Sequence, residues 1–362
     1  MDALRAEVLD TDSYGFIDRD TPASIGPTEP ETTNSERVRF FPSLRITDEE
    51  DLDTVVEEAV EAFDASEATR IGGRLLVSDE ISSQLYETDI SLDVEGTVEL
   101  DGDWNDSSLV YLGSNTGRRN IPLHDILDSV DYSPRDIFNQ SRTLGEQVDN
   151  LDILERSPSN LPEADRYARL GDNYHVALNP DLESDRIDQI VEFYQGFEEY
   201  PFEIDREMVR GWLDDVMAIG MYQDEDTEGY EIASALVGET ATLPIYDPES
   251  NEIREFTLSE SSDALTREEH GGNGLFTAAG VMMFEYLLRD REVDLAYGET
   301  RAASESALRG AAAMGRDFYG MCPEKVYIGG RGEQLTDSDY ETLVVNGLTP
   351  GEISSDRGDL DE

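Results

Sequence analysis

His270-Gly271-Gly272-Asn273-Gly274-Leu275-Phe276-Thr277-Ala278-Ala279-Gly280 carries three glycines in four positions and runs straight into an apolar stretch, Phe276 to Leu288. Glycine lets the backbone curl tightly, so several N–H groups can point into one concavity. A helix starting there adds unpaired N–H donors and its positive dipole end. Together they suit a pyrophosphate. The stretch is not a Walker loop, because no Gly-Lys-Ser/Thr follows. Nor is it the dinucleotide fingerprint, because Thr277 stands where the third glycine should be. Gly271, Gly272, Asn273, Gly274, Leu275, Phe276 and Thr277 are therefore candidate phosphate-binding residues. A glycine-rich turn before a helix is also ordinary punctuation, so the elements around it must decide.

Upstream, Tyr174–Leu178 alternates as a strand should, and Ile187, Ile190, Val191, Tyr194 and Phe197 form one helical face. Asp205 is placed to cap a second helix through Met208, Trp212, Val216 and Met217. Strands are expected at 230–238, 240–246 and 252–258, with a turn at Asp247-Pro248-Glu249-Ser250-Asn251. Downstream come a strand at 294–300, a helix at 302–318, and strands near 325–328 and 340–345. The order is β-α-α-β-β-β-α-β-α-β-β. The first half reads as mixed α/β, with strands at 38–41, 73–77 and 90–100 and a helix over 48–63. No chemistry-bearing motif emerges from it. Pro, Ser and Asn at 156–162 mark a boundary. The expected organisation is a partly looped segment 1–37, a smaller α/β domain 38–155, a second domain 163–348 and a flexible acidic tail 349–362.

With the glycine loop between its fourth strand and third helix, this order resembles the GNAT acyltransferase family. That family's loop, Gln/Arg-x-x-Gly-x-Gly/Ala, grips the pyrophosphate of acetyl-coenzyme A. Here Gly274 matches the central glycine, while Gly271 replaces the Gln/Arg and Phe276 the last small residue. Phe197-Glu198-Glu199-Tyr200-Pro201-Phe202-Glu203-Ile204 is similar to a segment of beta-lysine acetyltransferase-type members, as are Glu252–Phe256 and Glu299–Ala302. The resemblance covers about 174–348 and implies an α/β (α+β) fold with a mixed central sheet flanked by helices. It also implies that backbone amides of Phe256, Thr257 and Leu258 face the acyl carbonyl, where fixed donors stabilise the tetrahedral oxyanion. A carboxylate must take the proton from an ammonium acceptor. Glu252 and Glu255 are the candidates, on opposite strand faces, with Glu255 favoured. Tyr319 is the candidate acid for the departing thiolate. Arg309 and Gly310 occupy a region where the family often carries an asparagine.

The chain has 362 residues, 27 basic against 83 acidic, a net charge of -56, and its only lysine is Lys325. Such a surface lacks the basic footprint that nucleic acid or an anionic membrane requires. No apolar run approaches the roughly 20 residues of a membrane-spanning helix, and the first residues do not read as a signal peptide. The composition resembles haloarchaeal proteins, and the expected location is cytoplasmic. With 83 acids, no single carboxylate stands out for being acidic. A lone Cys322, read as a buried inert thiol, excludes an internal disulfide, and His124, His175 and His270 are too widely spaced to suggest a histidine metal site.

These readings converge on an N-acyltransferase moving an acetyl group from acetyl-CoA to the primary amine of a small molecule, an amino acid or polyamine-like acceptor. A homodimer is admitted but not required. Two rivals remain: a GNAT-fold binding or regulatory module without turnover, and an interaction protein led by the first half.

Overall fold

The computed structural model describes residues 14–15, 26–27, 37–64, 69–86, 90–116, 132–140, 142–154, 156–158, 161–182, 184–197, 204–223, 229–327 and 340–354. His124, most of the 21–37 stretch and positions 198–203 of the Phe197–Ile204 segment lie outside these.

The first half supplies β1 (Tyr14–Gly15), β2 (Gly26–Pro27), β3 (Arg37–Pro42), β4 (Arg45–Ile46), α1 (Glu49–Asp64), β5 (Arg70–Ser78), α2 (Asp79–Leu85), β6 (Asp93–Glu99) and β7 (Ser107–Asn115). Two short helices, α3 (Pro134–Phe138) and α4 (Leu144–Asp149), and β8 (Asp152–Leu154) lead into the second half. There follow β9 (Arg166–Leu170), β10 (Tyr174–Leu178), α5 (Ser184–Gln195), α6 (Arg206–Asp214), β11 (Val216–Tyr222), β12 (Glu231–Asp247) and β13 (Glu252–Thr266). The chain closes with α7 (Leu275–Arg289), β14 (Leu295–Arg301), α8 (Glu305–Ala312), β15 (Asp317–Tyr327), β16 (Tyr340–Leu348) and α9 (Pro350–Ser354).

From β10 onward the element order matches the expected one, by a different partition. The α6 helix stops at Asp214, and Val216 and Met217 open a strand instead. Asp205 does cap α6, its carboxylate accepting from the N–H groups of Glu207 and Met208 at 2.8 and 3.0 Å. Residues 216–221 of β11 are buried on both faces, so they read as an unbroken apolar run and lack the alternation that betrays a half-buried strand. The two strands expected at 230–238 and 240–246 are one, β12, and β13 continues eight residues past Leu258. The helix expected at 302–318 ends at Ala312. Gly315 at φ +85° turns the chain, and Phe318 and Tyr319 lie in β15.

The described strands form one mixed sheet in the order β1-β3-β5-β7-β6-β15-β16-β14-β13-β12-β11-β10-β9-β8, with β2 against β3 and β4 against β5. The halves meet where Gly96 of β6 pairs with Gly320 of β15. Most pairs are antiparallel, but β13 and β14 run parallel, and α7 crosses between them.

Helix α7 packs on one face of the second half; Phe284, Leu287 and Met283 sit in a buried cluster with Val176, Ala218 and Ala296. Helices α5 and α6 cover the other face of β10–β12, around Phe193, Tyr194 and Trp212. Beyond them, on that same side, the first half takes over. Phe41, Trp104 and Tyr111 are packed with Phe256, Tyr297 and Val345 in a single cluster. Trp104 and Phe41 both meet the Phe256 ring edge-on, at 5.6 and 6.4 Å. The two stretches separated by the 156–162 boundary thus share a core. Cys322 is 1% exposed within it.

The tail is ordered at its start. Thr349 donates its hydroxyl to Asp101 at 2.7 Å, Gly351 N–H donates to the same carboxylate, and α9 follows. The segment expected as a tail from residue 349 thus begins with a short helix. No helix among the described residues is long and apolar enough to cross a membrane.

Candidate acyl-donor site

Strand β13 delivers the glycine loop. After Thr266 a short turn, Glu268–His270, precedes Gly271, and α7 begins at Leu275. Gly272 and Gly274 have φ of +76° and +77°, values a side chain at Cβ resists, and nothing stands within 4 Å of where their Cβ atoms would be. Among the described residues, the space over Gly272 and Gly274 is open. Leu275, Phe276 and Thr277 sit in the first turn of α7, where backbone N–H groups have no carbonyl one turn back to bond. Asn273 braces the loop from inside, its amide donating to the carbonyls of His270 at 3.0 Å and Gly271 at 3.3 Å and to Tyr174 Oη at 3.2 Å. Gly310 of α8 lies against Phe276, with no room for a side chain between them.

Strands β13 and β14 part on the way to this loop. Their parallel pairing runs from Leu258–Leu295 to Ser261–Gly298. Beyond it, among the described residues, β14 pairs only with β16, and β13 only with β12. Asp263 at φ +46° marks an irregularity in β13, just past the parting.

At the vertex lies an unusual cation. Arg316 is 2% exposed, and its Nη2 donates to Ser261 Oγ at 2.8 Å while Nη1 donates to Asn346 Oδ1 at 3.0 Å. The guanidinium rests 4.1 Å from the centre of the Phe284 ring, and among the described residues its Nε has no hydrogen-bond partner. Among the described residues no carboxylate pairs with it. Desolvation alone pushes its pKa down to about 9.

The opposite sheet face carries the carboxylates. Glu260 accepts from Tyr297 Oη at 2.7 Å, and Tyr297 Oη in turn accepts from Arg74 Nη1 at 2.7 Å. Arg74 also reaches Glu299 at 3.3 Å and lies over the Tyr297 ring at 4.6 Å. Burial holds the Tyr297 hydroxyl well above the usual phenol range, despite the Arg74 charge beside it.

These positions differ from several expectations. Phe256 is fully buried, Leu258 is 1% exposed, and Thr257 N–H donates to the Asp294 carboxylate at 2.7 Å, so all three sit in the closed part of the sheet. Glu252 and Glu255 are exposed near the hairpin end of β13, and Glu255 lies six residues, about 20 Å, from the parting. Tyr319 is not beside a helix end. Its hydroxyl is buried without a hydrogen-bond partner, and it lines a cavity of about 520 Å³ with Ser82, Thr97, Glu99, Arg135 and Glu352. The structure joins Ser261 to Arg316 on one sheet face and links Glu260, Tyr297 and Glu299 through Arg74 on the other, and β13 leads from them to the glycine loop. Of these, the loop and Glu299, within the Glu299–Ala302 segment, were visible beforehand. The expected strand stopped at Leu258, before Ser259-Glu260-Ser261-Ser262-Asp263, and the signal hidden there was alternation, with Ser259 and Ser261 buried.

No family model matches the chain, and no curated protein matches it. Solved structures are similar to about half of it. An Arabidopsis thaliana NAA60 structure in complex with acetyl-CoA shares 12% identity over 48% of this chain and 99% of that one, with a TM-score of 0.37. The ribosomal-protein-S5-alanine acetyltransferase of Vibrio fischeri shares 11% over 49% and 94%, also at 0.37. Salmonella typhimurium yncA, a putative acetyltransferase with its cofactor acetyl-CoA, shares 10% over 48% and 94%, at 0.35.

Proposed function

We propose that the chain is an N-acyltransferase that moves an acetyl group from acetyl-CoA to the primary amine of a small molecule, with 163–348 as its working unit. The observation that carries this reading is the parting of β13 and β14 after Ser261 and Gly298, with the glycine loop and the start of α7 at the end of β13. Parted parallel strands offer a slot for a thioester, and the open loop beyond it suits the donor's diphosphate through backbone N–H groups, the helix dipole adding its positive end. In this reading the amides that stabilise the oxyanion belong to residues after Ser261, not to Phe256–Leu258.

The residues near the reacting atoms also shift. Glu260 takes the proton of the ammonium acceptor, and Tyr297, kept protonated by burial, supplies one toward the departing thiolate. Glu255 and Tyr319, favoured on sequence grounds, are left with no chemical part. A second reading, donor binding without turnover, is favoured by one observation: the Arg74 guanidinium already engages Tyr297 and Glu299, where a cationic acceptor would be held.

Calorimetry with acetyl-CoA in high salt, paired with free-thiol release across a panel of small primary amines, separates these. Heat with thiol release supports transfer, and heat without it supports the binding module. Neither signal would remove both.

A further inference from the structure

Glu231 opens β12, and Glu269 and His270 close the turn before the glycine loop, with one ligand atom of each lying within 4.8 Å of the others. His270 is 7% exposed, and among the described residues its Nε2 has no hydrogen-bond partner. That atom faces Glu231 Oε2 at 3.7 Å, beyond hydrogen-bond length. The imidazole is firmly held. Its Nδ1 lies 3.2 Å from Tyr174 Oη, and its ring packs against Tyr222 at 4.9 Å and edge-on to Tyr174 at 5.8 Å.

A buried polar atom left unsatisfied costs about 1–3 kcal/mol. With the proton on Nδ1 and donated to Tyr174, the Nε2 lone pair points at the two carboxylates. Metal-binding histidines share this arrangement, the second nitrogen being fixed by an outer hydrogen bond. Glu231 is oriented too: Oε1 lies 3.5 Å from Arg267 Nε, leaving Oε2 for a ligand role. Two atoms each about 2.0–2.2 Å from one ion stand roughly 3–4 Å apart. The 3.7 Å pair already fits, and Glu269, exposed and free to rotate, closes the rest.

We propose that Glu231, Glu269 and His270 bind one divalent transition-metal ion beside the glycine loop. Two carboxylates and one imidazole favour Mn²⁺, Co²⁺ or Zn²⁺ over Ca²⁺ and Mg²⁺, which take oxygen ligands. The wide spacing of the histidines in sequence argued against such a site, but one histidine is enough when the fold supplies the carboxylates. The ion would also offset acidic charge next to a loop built to receive an anion.

The test uses the full chain, treated with chelator and titrated with Co²⁺ in high salt, so that scattered surface carboxylates are screened. Calorimetry and the visible Co²⁺ spectrum should report one ion per chain, and NMR should show the His270 imidazole broadened by the paramagnetic ion. Glu269→Gln, on an exposed side chain, should keep the fold and weaken Co²⁺ by about tenfold or more. His270→Gln should do the same, with the exposed-site variant deciding if that ring's packing is disturbed. No saturable binding, equal affinity in Glu269→Gln, or an Nε2 proton that persists at saturating Co²⁺ would each overturn the proposal. No acyl donor is present in these measurements, so their outcome is independent of the transfer activity.

Discussion

Gly96 and Gly320 face each other as the Cα partners that join β6 to β15, and a Cβ on either would run into the backbone of the opposite strand. A side chain at Gly320 would press on the carbonyl of Glu95. Gly320→Ala should therefore lower stability by about 1–3 kcal/mol, as overpacking against backbone does. Gly211→Ala is the control: it lies within α6 with nothing near its Cβ and should gain up to about 1 kcal/mol. Thermal melts of both check this. Equal melting of Gly320→Ala and wild type would show that the join tolerates separation.

Arg316 predicts an unusual pH response. Burial lowers its pKa from the ordinary guanidinium range to about 9 on folding, so the cost of burying its charge is fully present below pH 9 and is relieved as pH rises above it. Arg316→Met should be as stable as wild type at pH 7, or more stable by about 1–4 kcal/mol, because an apolar side chain of similar size commonly replaces a buried ion at no loss. The difference should shrink above pH 9. Comparing the two proteins at each pH cancels the buried tyrosines, whose raised pKa values act in the opposite sense.

Glu352 gives a second, opposite slope. Burial and a hydrogen bond shared with Asp317 raise its pKa from 4.5 to about 8. The folded state thus holds a proton that the unfolded state releases, and stability falls as pH climbs from about 4.5 to about 8. Glu352→Gln keeps an acceptor for the Thr349 N–H, now 2.7 Å from Oε2, and a donor for Asp317. Denaturant titrations should find that slope flattened in the variant. An unchanged slope assigns it to other carboxylates.

Gly274→Asp should abolish acetyl-CoA binding by putting a negative side chain over the loop, while a φ of +77° is one that Asp tolerates better than most residues. Calorimetry reads this directly, and intact affinity would reduce the loop to a turn.

If transfer occurs, Glu260→Gln should lower kcat by about 10²-fold or more, the usual worth of a positioned proton acceptor. Glu255→Gln should leave kcat untouched, since that carboxylate is exposed about 20 Å from the parting. A loss in the second variant and not the first would return the role to Glu255.

The glycine loop was legible because glycine and the apolar run after it are local signals. The helical face of α1 was legible for the same reason: Leu52, Val55, Val56, Ala59 and Phe63 recur at helical spacing and are all buried. Val216–Met221 was missed because a strand buried on both faces has no alternation to show. Glu260 and Ser261 were missed because their strand character comes from neighbours 19 and 37 residues away: Ser259 is bonded by Thr240, and Tyr297 donates to Glu260. The cover provided by Trp104 and Arg74 comes from farther still. No local pattern could announce it.

That distance bears on how the protein is made. Arg45 reaches Asp247, Arg74 reaches Tyr297, Asp101 receives Thr349, and Arg70 bonds the carbonyl of Pro323, across separations of 202, 223, 248 and 253 residues. A ribosome adding about 5–20 residues per second needs roughly 10–50 s to supply those partners. Through that interval the edge of β6 at Gly96 and the apolar face of Val98, Leu109 and Tyr111 await strands not yet synthesised. Completion of the fold therefore waits on residues as late as Thr349, and a chain halted before Gly320 would be left with an open sheet edge, a recognised route to aggregation.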